Sequence, residues 1–125
     1  ALASVHAVEG DVGGLAALDK AARRAQGLKP VTTEKRDLFR NPLTRLELSR
    51  YDAAVIDPPR AGAEAQTREL AASKIARVTM VSCNAQTFAR DLKLMLEAGF
   101  RLQRLTPIDQ FLWSPHVEVV ASLSR

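Results

Sequence analysis

The sequence predicts an α/β fold, in which helices cover a mostly parallel β-sheet whose last strand is antiparallel. Three observations predict it. Short β-rich runs alternate with helical stretches along the chain. Two of the runs are continuously apolar, as the buried strands of parallel sheets are. The segment between the last two runs is too short to hold a crossover helix, so those two strands should pair antiparallel.

The first half of the chain contains two predicted strands and one long predicted helix. Residues 4–9 are β-rich, and residues 31–33 form a second short run. Between them, residues 12–26 place leucine and alanine at helical spacing. Residues 40–50 are predicted to be irregular or a short helix, because Pro42 suits a first helical turn better than a helix interior.

The second half of the chain contains four predicted strands and two predicted helices. The run at 52–57 is apolar throughout its centre and is cut off by two prolines, so we expect a strand buried on both faces. The predicted strands lie at 52–57, 76–82, 100–108 and 117–123, and the predicted helices at 64–74 and 85–98.

The composition fits one globular domain in the cytosol. The 125 residues carry 18 Lys and Arg against 14 Asp and Glu, a net charge of +4. Basic residues recur between Arg23 and Arg50, which suits a polyanionic partner, although charge alone favours a solvated surface. No apolar run approaches the roughly 20 residues that cross a bilayer, and we recognise no secretory signal, so we expect neither membrane nor export.

Reactive or acidic side chains follow three of the predicted strands. Glu9, Asp57 and Cys83 each stand at a strand's carboxyl end. Such ends meet at one edge of an open α/β sheet, where ligands bind. The last strand runs the other way, so its first residues, His116 and Glu118, should lie at the same edge. A thiol and several carboxylates are therefore predicted to converge.

Each of these residues also has an ordinary structural interpretation. A lone cysteine such as Cys83 is more often packed than catalytic, but its place before a predicted helix favours a thiolate. Glu118 lies in an apolar strand, which suits a proton acceptor, or else it forms a salt bridge at the strand edge. His116 is more often structural than catalytic. Phe111 and Trp113 either stack on a nucleic-acid base or simply pack.

Three blocks of sequence resemble one known family. They are Asp57-Pro58-Pro59-Arg60-Ala61-Gly62; Val81-Ser82-Cys83-Asn84 with Thr87 and Ala89-Arg90-Asp91; and Asp109-Gln110-Phe111 with His116-Val117-Glu118. In this order they resemble the class I S-adenosylmethionine-dependent RNA uracil-5-methyltransferases, which modify tRNA and 23S rRNA. The resemblance covers essentially the whole chain.

The resemblance implies a Rossmann-like methyltransferase sheet, S-adenosyl-L-methionine as cofactor, and an unpaired or flipped uridine in RNA as substrate. It implies that Cys83 is the nucleophile and Glu118 the general base. The cofactor contacts would be Glu9, Asp37 and Asp57, and the substrate contacts Asp57, Arg60 and Asn84. The Ala-Arg-Asp sequence after Thr87 favours 23S rRNA over tRNA.

The sequence also departs from the family. Ala85 replaces a usual proline, and residues 111–115 replace the usual F-P-x-T. The family's first strand and Gly-rich loop would precede Ala1, so we expect a partial methyltransferase domain, truncated at its N-terminal side. The strand at 4–9 should then pair with 52–57, or the exposed sheet edges should join another chain.

Two other functions remain open at this point. One is a cysteine hydrolase that uses Cys83 and His116 with an acid. The other is a catalytically incomplete fragment that binds RNA.

Overall fold

The computed structural model describes residues 3–110 and 112–125. The helices and strands occur in the predicted order, with boundaries that differ by a few residues. They are β1 (Val5–Glu9), α1 (Val12–Arg24), β2 (Val31–Lys35), α2 (Arg45–Leu48), β3 (Ala53–Ile56), α3 (Glu64–Ala72), β4 (Arg77–Ser82), α4 (Ala85–Glu97), β5 (Arg101–Ile108) and β6 (Glu118–Ser124). The segment at 40–50, predicted to be irregular or a short helix, contains the short helix α2.

The chain divides into two compact units, and the first is Ala1–Pro42. In it β1 and β2 pair in parallel, from Val5 opposite Val31 to Glu9 opposite Lys35. Helix α1 begins because the Asp11 side chain accepts a hydrogen bond from the Gly14 amide, 2.7 Å away. It packs against both strands.

The second unit, Leu43–Arg125, holds a four-stranded sheet in the order β3-β4-β6-β5. Strands β3 and β4 are parallel, whereas β6 runs antiparallel to both of its neighbours. The predicted antiparallel pairing of the last two strands is therefore confirmed. Helices α3 and α4 pack on each other. The core is built from buried side chains of the helices, the central strands and the connection between α3 and β4, among them Leu70, Ile75, Val78, Met80, Phe88, Met95, Ala121 and Leu123.

The prediction that residues 52–57 are buried on both faces is wrong. Along β3 exposed and half-buried residues alternate, and Val55 is 73% exposed. A continuous apolar run shows that both faces tolerate burial, but only a covering element on each face can produce it. Strand β3 is also an edge strand, with β4 as its one pairing partner in the described sheet.

The predicted direct pairing of the first strand with residues 52–57 is also wrong. Among the described residues, β1 pairs with β2 and β3 pairs with β4, in two separate sheets. An apolar strand does not specify its lateral partner, because hydrogen bonds along its edge can form with any strand of suitable direction. The alternative, that the open edges join another chain, stays a prediction.

No helix in the described part of the chain has both the length and the apolar character needed to cross a bilayer.

Candidate active site

Strand register brings Cys83 and Glu118 to the same end of the four-stranded sheet. The β4 and β6 ladder ends with Ser82 opposite Val119. Cys83 follows Ser82, and Glu118 precedes Val119 at the start of β6. The two residues are therefore the next opposed positions along these strands. Opposed residues of an antiparallel pair lie on one face, about 5 Å apart at Cβ where the ladder continues.

Cys83 lies half-buried in the two-residue connection between β4 and α4. The Ser82 hydroxyl fixes this connection, since it accepts from the Asn84 amide and donates to the Asn84 carbonyl, both at 3.1 Å. The Asn84 side chain then caps α4 by accepting from the Gln86 amide at 3.0 Å. The thiol is consequently held just before the amino end of a 13-residue helix.

The loop after β3 is tied to the same helix. Asp57 follows β3 directly and is exposed, as is Arg60. The Arg60 carbonyl accepts two hydrogen bonds, from the Asn84 side-chain amide at 3.1 Å and from the Thr87 hydroxyl at 2.9 Å. This end of the second unit therefore carries Asp57, Arg60, Cys83, Asn84 and Glu118.

Glu9 and Asp37 lie together at the carboxyl ends of the two strands of the first unit. Glu9 ends β1, and its Oε1 accepts from the amides of Gly10 at 2.6 Å and Asp11 at 3.0 Å. Asp37 follows β2, and its Oδ1 accepts from the Phe39 amide at 3.0 Å. Both carboxylates are exposed and oriented by the backbone that follows them. Oε2 of Glu9 can still accept from a ligand with hydroxyl or amino groups, whereas Oδ2 of Asp37 lies 3.7 Å from Arg40 Nε in an exposed ion pair.

The connection from β5 to β6 exposes large apolar side chains. Leu112 is 85% exposed and Trp113 is fully exposed. The Trp113 backbone has a positive φ of 62°, a conformation that L-residues rarely adopt. His116 is exposed, and its amide donates to the Ser114 hydroxyl at 3.2 Å. Phe111, the second predicted stacking residue, lies outside the described residues.

Sequence reasoning missed the role of Asp91. This carboxylate is only 2% exposed and accepts hydrogen bonds from the loop after β3 and from Arg90. A signal was present, because Phe88, Asp91 and Met95 are spaced three and four apart and form the buried face of α4. An acidic residue at an apolar position of a helix indicates a buried partner.

The fold and the strand-end residues define the class of protein. A solved structure described as a putative methyltransferase from Thermoplasma acidophilum has a TM-score of 0.65 and 14% identity, covering 98% of this chain and 57% of its own. The fold is thus the Rossmann-like fold of methyltransferases, as predicted.

The chain belongs to the tRNA (uracil-5-)-methyltransferase family, whose model matches residues 17–125. An uncharacterised RNA methyltransferase of Agrobacterium fabrum is 61% identical over 97% of the chain. The 23S rRNA (uracil(1939)-C(5))-methyltransferase RlmD of Chromohalobacter salexigens is 36% identical over 99% of it. The tRNA (uracil-54, C5)-methyltransferase of Pyrococcus abyssi, solved with S-adenosyl-L-homocysteine, has a TM-score of 0.75 and 28% identity over 96% of the chain. The resemblance predicted from the three sequence blocks is confirmed.

The chain spans 29% of the length of the Agrobacterium relative, 25% of the Chromohalobacter relative and 28% of the Pyrococcus chain.

Proposed function

We propose that the complete protein transfers a methyl group from S-adenosyl-L-methionine to carbon 5 of a uridine in RNA, with Cys83 as a covalent nucleophile. The observation that carries the proposal is the position of Cys83 and Glu118, each one residue beyond the last β4–β6 partners, Ser82 and Val119, in a chain of this family. A nucleophile and a base within reach of one carbon–carbon bond are what this reaction requires.

The residues of the first unit fit the cofactor. Glu9 uses Oε1 for the amides of Gly10 and Asp11, which leaves Oε2 to accept from ribose hydroxyls. Asp37 is oriented in the same way by the Phe39 amide and would lie near the adenine. Asp57 is the third cofactor contact. When bound, the sulfonium group of the cofactor supplies an electrophilic methyl group.

Cys83 makes carbon 5 of the uracil nucleophilic. Its thiolate adds to carbon 6, the double bond between carbons 5 and 6 opens, and the electron pair moves into the carbonyl at carbon 4. Carbon 5 of the resulting enolate would then bond to the methyl group as the sulfur–methyl bond breaks, which leaves S-adenosyl-L-homocysteine.

Glu118 completes the reaction. The methylated adduct keeps a proton on carbon 5, and the Glu118 carboxylate accepts it. The double bond re-forms as the carbon–sulfur bond breaks, so Cys83 leaves as a thiolate. Arg60 and Asn84 bind the RNA beside the thiol. Because Cys83 lies half-buried, the uridine has to leave its stack to reach it.

An RNA containing 5-fluorouridine tests this reaction. Fluorine cannot leave as a proton does, so the complete protein should form a stable covalent complex only when S-adenosyl-L-methionine is present. The Cys83→Ser variant is the matched control and should form none. A cysteine hydrolase would form no complex. A binding fragment without activity would retain RNA only through contacts that salt disrupts, and either result would refute the proposal.

We propose 23S rRNA rather than tRNA as the substrate. The support is the 36% identity to a 23S rRNA enzyme and the Ala89-Arg90-Asp91 sequence. Unmodified transcripts of both RNAs, incubated with labelled cofactor, decide between them. Greater methyl incorporation into the tRNA transcript would overturn this choice.

Two further proposals concern assembly and location. The unpaired edges of β1 and β3 should take up a strand, either from the complete polypeptide or from a second copy of the chain. Sedimentation of the 125-residue chain should therefore give a dimer or larger species, and a monomer would contradict self-association.

Methylation of ribosomal RNA predicts a cytoplasmic protein, which fractionation of the source cells would check.

A further inference from the structure

The loop that carries Arg60 is fastened along its whole second half to helix α4. The contacts involve residues 60–63, and all come from the first two turns of α4 and its cap. Asn84 and Thr87 bind the Arg60 carbonyl. Arg90 donates to the Ala61 carbonyl at 3.2 Å.

Asp91 forms the buried end of this attachment. Its Oδ2 accepts from the Ala63 amide at 2.7 Å, and its Oδ1 accepts from Arg90 at 2.8 Å. The Asp91 side chain is 3% exposed, whereas that of Arg90 is 40% exposed. A buried carboxylate is tolerated only where partners replace the water it has lost. Those partners here are one loop amide and one guanidinium that also holds the loop.

Gly62 allows the loop to come this close. A Cβ at this position would lie 2.6 Å from Arg90 Nη2, 2.7 Å from Asp91 Oδ2 and 3.0 Å from Thr87 Cβ. Its φ of 77° is also in the region that favours glycine. The turn is closed by the Gly62 amide, which donates to the Pro59 carbonyl at 2.8 Å. Any larger side chain would push the loop away from α4.

The guanidinium of Arg60 is left for the substrate. Within residues 3–110 and 112–125 it makes no hydrogen bond or ion pair, while its own backbone carbonyl is held by two donors. Helix α4 also begins two residues after Cys83. One rigid helix therefore holds both the nucleophile and the backbone of the exposed arginine.

We propose that Asp91, with Arg90 and Thr87, is a positioning residue that fixes Arg60 relative to Cys83 so that the RNA is captured in reacting geometry. This role rests on the proposed function, in which Arg60 binds the RNA. When a substitution away from the reacting atoms displaces a substrate-binding group by about 1 Å, the rate can fall on the order of a hundredfold. Affinity for the cofactor should change little when Asp91 is substituted, because the proposed cofactor contacts are Glu9, Asp37 and Asp57.

The variants are Asp91→Asn, which keeps the shape but removes the charge, and Thr87→Val, which removes a hydroxyl whose shorter contact is the Arg60 carbonyl at 2.9 Å and whose longer one is the Asn84 carbonyl at 3.3 Å. The matched control is Lys93→Ala, which breaks an exposed ion pair with Glu97, 3.7 Å long, on the same helix. Each is made in the complete protein and in an Arg60→Ala background. The single-turnover rate of covalent complex formation is measured with a 23S rRNA transcript containing 5-fluorouridine.

Asp91→Asn should slow complex formation by about tenfold to a hundredfold, and Thr87→Val by less, with affinity for S-adenosyl-L-methionine within about threefold. In the Arg60→Ala background the same substitutions should change the rate by less than about twofold, because residues that act through one another are not additive. Equal factors in both backgrounds would overturn the proposal, since a general loss of structure would act independently of Arg60.

Hydrogen exchange of the peptide spanning residues 57–63 tests the attachment without any activity. Asp91→Asn should speed exchange in this peptide by about tenfold or more, since the Ala63 amide and Arg90 now bind separate carboxylate oxygens and the substituted side chain has one acceptor oxygen for both, and Lys93→Ala should leave it unchanged. Unchanged exchange in both Asp91→Asn and Thr87→Val would overturn the attachment. If the unsubstituted protein forms no RNA complex, the proposed function fails, and the exchange data still decide whether Asp91 holds the loop.

Discussion

Two loops flank Cys83 in this protein, and they are built in opposite ways. The loop at 57–62 is fastened to α4 by side chains that bind its backbone, and it exposes two charged side chains, Asp57 and Arg60. The loop at 109–117 exposes Leu112 and Trp113 instead. One loop is therefore held in a fixed geometry by its contacts with α4, while the other presents apolar surface to solvent.

The largest expected changes in turnover come from substituting one residue of each loop, Glu118 and Arg60. Glu118 ends the exposed loop and should release the product, whereas Arg60 in the fixed loop should help form the adduct. Glu118→Gln should therefore lower turnover by about 100- to 10,000-fold while the adduct with ordinary uridine accumulates. Arg60→Ala should lower turnover without accumulation. Gel analysis of the protein–RNA complex during turnover distinguishes them, and a Glu118→Gln variant that turns over normally would remove its proposed role.

A pair of glycine substitutions tests how rigid the fixed loop is. Gly62 and Gly99 both have positive φ, 77° and 91°, but a Cβ at Gly99 would meet nothing within 4 Å. Gly99→Ala should lower the free energy of unfolding by about 1 to 2 kcal/mol from backbone strain alone. Gly62→Ala should cost about 3 kcal/mol or more, because it also disrupts buried hydrogen bonds.

Chemical denaturation of both variants measures this difference. Equal losses of stability would mean that the loop is not packed closely against Arg90 and Asp91.

Trp113 tests the exposed loop. Stacking on a base contributes about 1 to 3 kcal/mol, so Trp113→Ala should weaken RNA binding by roughly 5- to 150-fold without lowering the thermal midpoint. The matched control is Leu46→Ala, which removes another side chain that is 79% exposed, on helix α2. Fluorescence anisotropy with a labelled RNA measures both. A lowered midpoint with unchanged affinity would show that Trp113 packs and does not bind RNA.

The smallest expected effect is on stability, and it comes from Glu64, the residue that begins α3 just after the fixed loop. A hydrogen bond from Arg68 holds the pKa of Glu64 below its ordinary value of 4.5, and Arg90, 3.5 Å away, acts in the same direction. A carboxyl whose pKa is lowered by folding adds stability above its unfolded pKa and loses it as the pH falls through its folded pKa.

Glu64→Gln should thus remove a small amount of stability at neutral pH and none at low pH. Denaturation midpoints between about pH 3 and pH 6 measure the effect. Because Glu64 is exposed, a large effect would show that it is part of the buried attachment.

The direction of the strands was sufficient to predict which residues lie at the same end of the sheet. The apolar runs before Cys83 and after Glu118, joined to a short last connection, were enough to place both residues at one end of the sheet. The exposure of Val55 and the separate sheets of β1 and β3 were not predictable in this way. They depend on which elements cover or pair with a strand, and an apolar run carries no information on either.

The attachment of the loop was hidden for a different reason. Asp91, Arg90 and Gly62 are ordinary residues locally, and their meaning comes from a contact across 29 positions of sequence. The buried position of Asp91 on the apolar face of α4 was the available signal. The partners of Asp91 could not be predicted, because an acidic residue on the buried face of a helix can accept hydrogen bonds from many different amides or guanidinium groups.

Mass spectrometry of the peptide containing Cys83 tests the central claim most directly. The complete protein is incubated with methyl-labelled S-adenosyl-L-methionine and 5-fluorouridine RNA, then digested with nuclease and protease. We expect the Cys83 sulfur to carry a fluorouridine nucleotide whose uracil ring bears one labelled methyl group. A Cys83 peptide of unmodified mass, or a nucleotide attached to any other residue, would contradict it.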